Sequence, residues 1–274
     1  MQGYKSSIDM PKWLHEMGLD AYEYSLTRGI RFKEQTARKI GEQAEKWEIA
    51  MSVHAPYYIN LASQDEDNRK KSINYLVRSV EAAHWLGATR VVFHPGSAGK
   101  DRDLAMKTAK KVLLQALEEC SPYIVKGVQL CPETMGKRNQ LGNLEEVLEL
   151  CQLDSTLLPT VDFGHLHALG QGAIQSSEDY IIILDKVEKT LGKIRGKSFH
   201  IHFSRIEYTE AGEKKHHSYD NTEFGPVFDD LAYLIALPTI ENIKKTIAKP
   251  KIPKIGTLIT CQTVDSSNFS TKST

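Results

Sequence analysis

Short apolar runs alternate with longer amphipathic ones along most of this chain. The apolar runs are Ala21-Tyr-Glu-Tyr-Ser-Leu26, Ile49-Ala-Met-Ser-Val53, Arg90-Val-Val-Phe93, Val128-Gln-Leu-Cys131, the stretch holding Leu157, Leu158 and Val161, and Ser198-Phe-His-Ile-His-Phe203. Their length and composition predict buried strands. Between them, residues 32–47, 67–86, 103–119, 144–151 and 178–191 have helical periodicity. An earlier helix is expected from Met10, with Asp9 as N-cap and Pro11 in the first turn, stopping at Gly18.

Strand and helix repeated in this way predict parallel βα units, and a (β/α)8 TIM barrel is preferred to an open doubly wound sheet. Polar chemistry stands at the end of nearly every strand, as a barrel rim requires, whereas an open sheet gathers its site at one switch point. The barrel is expected to be incomplete. No apolar run precedes Trp13 to supply a first strand, and the rhythm weakens from Pro238. Residues 241–254 are basic, and only Gly256 to Gln262 offers a closing strand, so the last βα unit is degenerate. Residues 1–264 are read as a single TIM-barrel domain and 265–274 as a disordered tail. Left open, such a barrel would expose strand edges and self-associate; closed, it would be a monomer.

The strand ends bring His54, His94, Glu133, Asp162, His165 and His202, and the long loop after the last of these strands adds His216 and His217. Ionised groups at buried strand ends are costly unless paired or ligating. Asp162 alone could be no more than a helix cap. The set as a whole exceeds what one tetrahedral zinc can take, so two or three metals are expected, with Glu133 as the bridging and catalytic carboxylate. Clustered metals suit in-line displacement at phosphorus, and they equally suit aldose isomerases.

Composition narrows this little. Lys and Arg number 35 against 35 Asp and Glu, which excludes a global basic field and leaves nucleic-acid contact to local patches. Lys137, Arg138, Lys214 and Lys215 are candidates for such a patch. The four cysteines have no C-x-x-C spacing, which excludes a zinc knuckle or redox dithiol and fits reduced thiols in a cytoplasmic protein. No membrane span is expected. His15 and His84 are taken as incidental, His167 and His217 as solvent-facing in preference to donors behind the ligands, and Cys131 as core. His200 and His202 share one strand face, one lining the site and the other supporting it.

In this order, Ser-Val-His54-Ala-Pro-Tyr-Tyr-Ile-Asn-Leu-Ala, Val-Val-Phe-His94-Pro-Gly-Ser, Pro-Glu133-Thr-Met-Gly-Lys, Asp162-Phe-Gly-His165 and His-Ile-His202-Phe-Ser resemble the endonuclease IV family of abasic-site endonucleases, within the xylose isomerase-like barrels. The likeness spans roughly residues 5–230. It implies a trinuclear zinc enzyme of base excision repair that cuts double-stranded DNA 5′ to abasic sites. His54 and His94 would bind one zinc, and Glu133 would bridge to a second that also takes Asp162 and His202. His165 and His216 would hold the third, while Tyr57 and Tyr58 would enter the DNA at the lesion. Two positions depart from the pattern. Lys214 stands where the family's Asp-x-His motif has its carboxylate, a place Glu213 could fill only by a small loop shift, and Gln262, which offers a neutral carbonyl oxygen, stands where the last strand has a glutamate ligand. The alternatives are a manganese- or zinc-dependent sugar-phosphate isomerase or epimerase, and an inactive truncated family member.

Overall fold

A computed structural model describes residues 6–27, 29–30, 33–218, 221–235 and 259–261. The strands are β1 (Ala21–Ser25), β2 (Ala50–His54), β3 (Arg90–Phe93), β4 (Gly96–Ser97), β5 (Gln129–Pro132), β6 (Gln140–Leu141), β7 (Thr160–Asp162), β8 (His200–Phe203), β9 (Arg205–Thr209), β10 (Gly212–His217) and β11 (Ile259–Cys261). The helices are α1 (Met10–Glu16), α2 (Glu34–Lys46), α3 (Glu66–Trp85), α4 (Arg102–Ile124), α5 (Leu144–Cys151), α6 (Phe163–Leu169), α7 (Ser177–Arg195) and α8 (Phe228–Ile235).

β1, β2, β3 and β5 pair in parallel in that order. A parallel bridge from Glu133 to Thr160 carries the sheet on to β7, β8 and β11. β11 in turn lies against β1, so the ring comes back on itself. This is the expected TIM barrel, with seven parallel strands among the described residues rather than eight. Residues 6–20 hold a short 3-10 turn and α1, and no strand precedes β1 among the described residues. β11, inside the run expected to close the barrel, pairs with the flank of β8 and touches β1 without pairing with it. Gln262, the basic stretch at 241–254 and the tail at 265–274 lie outside the described residues.

Val53, Val91, Leu130, Val161 and Ile201 are buried on successive strands, and the apolar stripes of α2, α3, α4 and α7 close over them. At the strands' N-terminal end, Arg90 donates to the carbonyls of Phe199 at 3.1 Å and Ser198 at 2.5 Å, tying β3 to the approach to β8. Helix α4 runs past Pro122 to Ile124, beyond the expected end at 119. Proline removes only one bond there, and Glu118, whose carbonyl loses it, is exposed.

Two antiparallel pieces carry no signal in the apolar pattern. β4 pairs with β6, and the segment after β8, read as a loop, is the β9–β10 hairpin. The hairpin turns at Gly212, whose φ of 101° is open to glycine, and a Cβ there would come within 2.1 Å of the Gly136 carbonyl oxygen. Glu213 N donates to that same carbonyl at 2.8 Å, so the hairpin is fastened to the loop after Glu133. The far side of this loop is held by Glu146. Its carboxylate takes a two-pronged ion pair from Arg102 and accepts from the Gly142 and Asn143 amides, completing a capping box for α5. Glu146→Ala is expected to cost about 2 kcal/mol, since it leaves two amides without their acceptor and removes the ion pair from Arg102, which keeps its bonds to the Arg138 and Gln140 carbonyls. Urea denaturation measures this loss; a change below about 1 kcal/mol, the scale of an exposed pair, would contradict it.

Candidate metal centre

Parallel pairing aligns the C-terminal ends of the strands, and the expected donors meet at that rim. Glu133, which is 0% exposed, sits at the centre. Its Oε2 lies 3.2 Å from His54 Nε2 and 3.1 Å from His94 Nε2, and its Oε1 lies 2.6 Å from His202 Nδ1. One carboxylate thus divides its two oxygens between two sets of imidazoles, which is the arrangement of a bridging ligand.

Asp162 is both things the sequence allowed. As N-cap of α6, its Oδ1 accepts from the His165 amide at 2.8 Å. Its Oδ2 is buried without a hydrogen-bond partner, 3.9 Å from His202 Nδ1. Leaving a buried carboxylate oxygen unsatisfied is costly, and a cation shared with Glu133 and His202 would remove that cost.

Hydrogen bonds behind the rings set which nitrogen faces inward. His54 Nδ1 is 2.8 Å from the Ala55 carbonyl, and His165 Nδ1 is 2.8 Å from the Thr134 carbonyl. A carbonyl can only accept, so each ring carries its proton on Nδ1 and turns the Nε2 lone pair to the site. His216 Nδ1 is likewise held at 2.8 Å by the Ser204 hydroxyl.

A third cluster forms beside the first two. His165 Nε2 lies 3.5 Å from Glu213 Oε2 and 3.4 Å from His216 Nε2, and His216 Nε2 lies 3.3 Å from Glu213 Oε1. The hairpin's register shifts between Glu213 and Lys215, leaving Lys214 as the extra bulged residue. A bulge puts residues three apart on one face, so Glu213 and His216 converge while Lys214 turns outward to pair with Glu207.

Among the described residues, three such groups keep their ligand atoms within 4.8 Å of one another: His54, His94 and Glu133; Glu133, Asp162 and His202; His165, Glu213 and His216. A fourth, Glu23 with His200 and His202, is missed by sequence reasoning. The signal available is a lone acidic residue in an otherwise apolar strand. His200 does support the site as expected, through Glu23 Oε2 at 3.1 Å.

Without metal, the ionised Glu133 holds His54, His165 and His202 above the usual imidazole value despite their burial, while Glu133 and Glu213 stay ionised and His94 is pushed down. Burial alone would raise the Glu133 carboxyl, but the charge of His202 and hydrogen bonds from His202, His54 and His94 hold it well below its usual value. Burial pushes His94 down, more than the pull of Glu133 raises it. Glu213 is held to about 2, because His216 and His165 outweigh its burial.

Tyr57 and Tyr58 are 55% and 58% exposed; Tyr57 stacks on His94 with ring centroids 4.9 Å apart, while Tyr58 leans on Tyr75 of α3. Lys137 and Arg138 are exposed on the loop after Glu133, and Lys215 is exposed on β10. The placement of His167 in solvent is corrected: it is buried, and its Nδ1 accepts from the Ile174 amide at 3.2 Å because the chain folds back over the end of α6. His217 is half-buried, stacked on Phe224. His15 is exposed and contacts the Trp47 carbonyl at 3.1 Å, and Cys131 is core, as expected. No helix among the described residues is long and apolar enough to cross a membrane.

Residues 11–236 match the family model described as xylose isomerase-like TIM barrel. A protein of Methanocaldococcus jannaschii is 34% identical over 77% of this chain and 76% of its own length. The probable endonuclease 4 of Mycoplasma pneumoniae is 31% identical over 76% of this chain and 71% of its own. Among solved structures, endonuclease IV from Thermus thermophilus superposes with a TM-score of 0.69 over 96% of this chain and 90% of that one, at 20% identity. D-psicose 3-epimerase from Clostridium cellulolyticum shares the fold at a TM-score of 0.58 and 13% identity, over 74% and 68% of the two chains. The chain therefore belongs to the xylose isomerase-like TIM-barrel family, with relatives named as endonuclease 4.

Proposed function

We propose that this protein is a zinc-dependent phosphodiester hydrolase that cuts double-stranded DNA on the 5′ side of an abasic site. The observation that carries the reading is the division of Glu133's two oxygens between the His54–His94 pair and His202, with the bare Asp162 Oδ2 beside the latter. His54, His94 and Glu133 would hold one ion, Glu133, Asp162 and His202 a second, and His165, Glu213 and His216 a third. Imidazoles outnumber carboxylates in this set, which suits zinc better than manganese. When bound, the metals supply a nucleophile active at neutral pH and positive charge against the phosphate and the leaving oxygen.

The chain's own groups do the rest. Glu133 keeps the two halves of the site in one register, and the backbone carbonyls behind His54 and His165 hold those rings in the ligating tautomer. Tyr57 and Tyr58 present aromatic faces to an unstacked base or exposed sugar, and Lys137, Arg138 and Lys215 meet the phosphates. The exposed Tyr57 ring stacked on His94 offers an aromatic face beside the site, which suits the unstacked nucleotide of a polymer. Buried free Cys120, Cys131 and Cys151 fit a reducing, cytoplasmic setting.

The test is a labelled duplex with one abasic site, incubated with the protein and zinc. Nicking 5′ to the lesion that a chelator removes and zinc restores is the expected result. No nicking at any protein concentration would contradict it; ketose turnover with manganese would then identify an epimerase, and neither activity an inactive relative. Tyr57→Ala is expected to weaken binding to the same duplex by about 10- to 100-fold, the scale of one lost stacking contact. A gel-shift titration measures this, and unchanged affinity would remove Tyr57 from the interface.

A further inference from the structure

The proposed function gives no role to Glu23, a carboxylate whose side chain is only 10% exposed. It sits mid-strand in β1 and faces β2 and β8. Ser52 Oγ donates to its Oε2 at 3.2 Å. His200 Nε2 lies 3.1 Å from Oε2, and His202 Nε2 lies 3.0 Å from Oε1. An ionised carboxylate can only accept, so Glu23 draws a hydrogen onto each Nε2. The 3.0 Å contact to His202 is not aligned as a hydrogen bond, however, and Glu133 draws a hydrogen onto the His202 Nδ1 in the same way until a cation takes that place. For His202 this choice matters, because its other nitrogen is the one beside Glu133 and Asp162.

We propose that Glu23 is a positioning residue: by holding His202 as its Nε2–H tautomer, it leaves the Nδ1 lone pair for the cation that Glu133 and Asp162 bind. His200 fills the second oxygen of Glu23 and stacks edge-on against His202 at 5.1 Å, so the carboxylate cannot swing away without stranding a buried ring. Carboxylate behind imidazole behind metal is a general way to fix a ligand's orientation and raise its basicity. A cation bound directly by Glu23, His200 and His202 is the competing use of this cluster, and it would require both Nε2 hydrogens to leave.

The inference rests on His202 being a metal ligand, and the experiment separates the two. Protein labelled with 15N-histidine is observed by long-range proton–nitrogen correlation, without metal and after zinc loading, with zinc affinity measured by chelator competition. His202 is expected to keep an Nε2–H in the loaded protein while its Nδ1 resonance moves. Glu23→Gln, whose amide can donate to Nε2 and so favour the wrong tautomer, is expected to bind zinc about 10- to 100-fold more weakly. Zinc on His202 Nε2, unchanged zinc affinity in Glu23→Gln, or one further zinc lost with that substitution would each overturn the proposal. Failure of the unaltered protein to bind zinc at all would instead overturn the metal reading of the site, and this proposal with it. Should Glu23→Gln not fold, the tautomer of His202 in the unaltered loaded protein decides the question.

Discussion

Glu133→Gln is expected to lower zinc-dependent cleavage by about 10³-fold or more, a loss of roughly 4 kcal/mol of transition-state stabilisation. The substitution keeps the size of the side chain and removes its charge. A glutamine offers one acceptor oxygen, so it cannot serve His54 and His94 on one side and His202 on the other. Its amide hydrogens would point at one of those groups and at whatever cation lies there. Zinc content per chain is expected to fall along with activity, because two of the three clusters share this one residue. Activity within tenfold of the unaltered protein would show that Glu133 does not bridge.

The same residue makes the metal-free protein sensitive to pH. Its carboxyl is depressed from 4.5, so its contribution to stability is present above that value and is lost as pH falls through the folded one. His202 is raised from 6.5, since Glu23 and Glu133 outweigh its burial, so its contribution is present below 6.5 and lost as pH rises through its folded value. Metal-free protein is therefore expected to melt highest between these limits, falling on both sides. In Glu133→Gln the acid fall should shrink. Thermal melts across pH check both signs, and an acid fall of the same size in the variant would contradict the assignment.

Glu213→Ala should abolish binding of the third metal and reduce activity by about 10²-fold, while Lys214→Ala should leave both nearly unchanged. The contrast comes from the bulge. On an unbroken strand Lys214 and His216 would share a face, and the position of Lys214 would be the natural site for a ligand. The register shift turns Lys214 out to Glu207 and brings Glu213 in beside His165 and His216. A Lys214→Ala variant that lost the third metal, beside a Glu213→Ala variant that kept it, would reverse this reading.

The barrel is legible because most of its parallel strands carry their own signature: a short apolar run that brings a His, Glu or Asp at or beside its end. His54, His94, Glu133, Asp162 and His202 follow directly, since parallel strands put their C-terminal ends on one rim. Asp162 is ambiguous in sequence because a cap and a ligand call for the same residue there, and its two oxygens turn out to face different partners. The β9–β10 hairpin is not legible, as Gly212 marks a turn but nothing in Glu-Lys-Lys-His-His marks a bulge. Glu23 escapes notice for a related reason. Its partners lie on β2 and β8, far along the chain, and only ring closure brings β1 close to them. His167 reads as solvent-facing because helical spacing cannot show that the following turn folds back over it.

The most direct test of the central claim is anomalous diffraction from zinc-loaded crystals, recorded on both sides of the zinc absorption edge. Two peaks flanking Glu133, one against each carboxylate oxygen, and a third among His165, Glu213 and His216 are the predicted result. A Glu133 that touches one peak or none would contradict it.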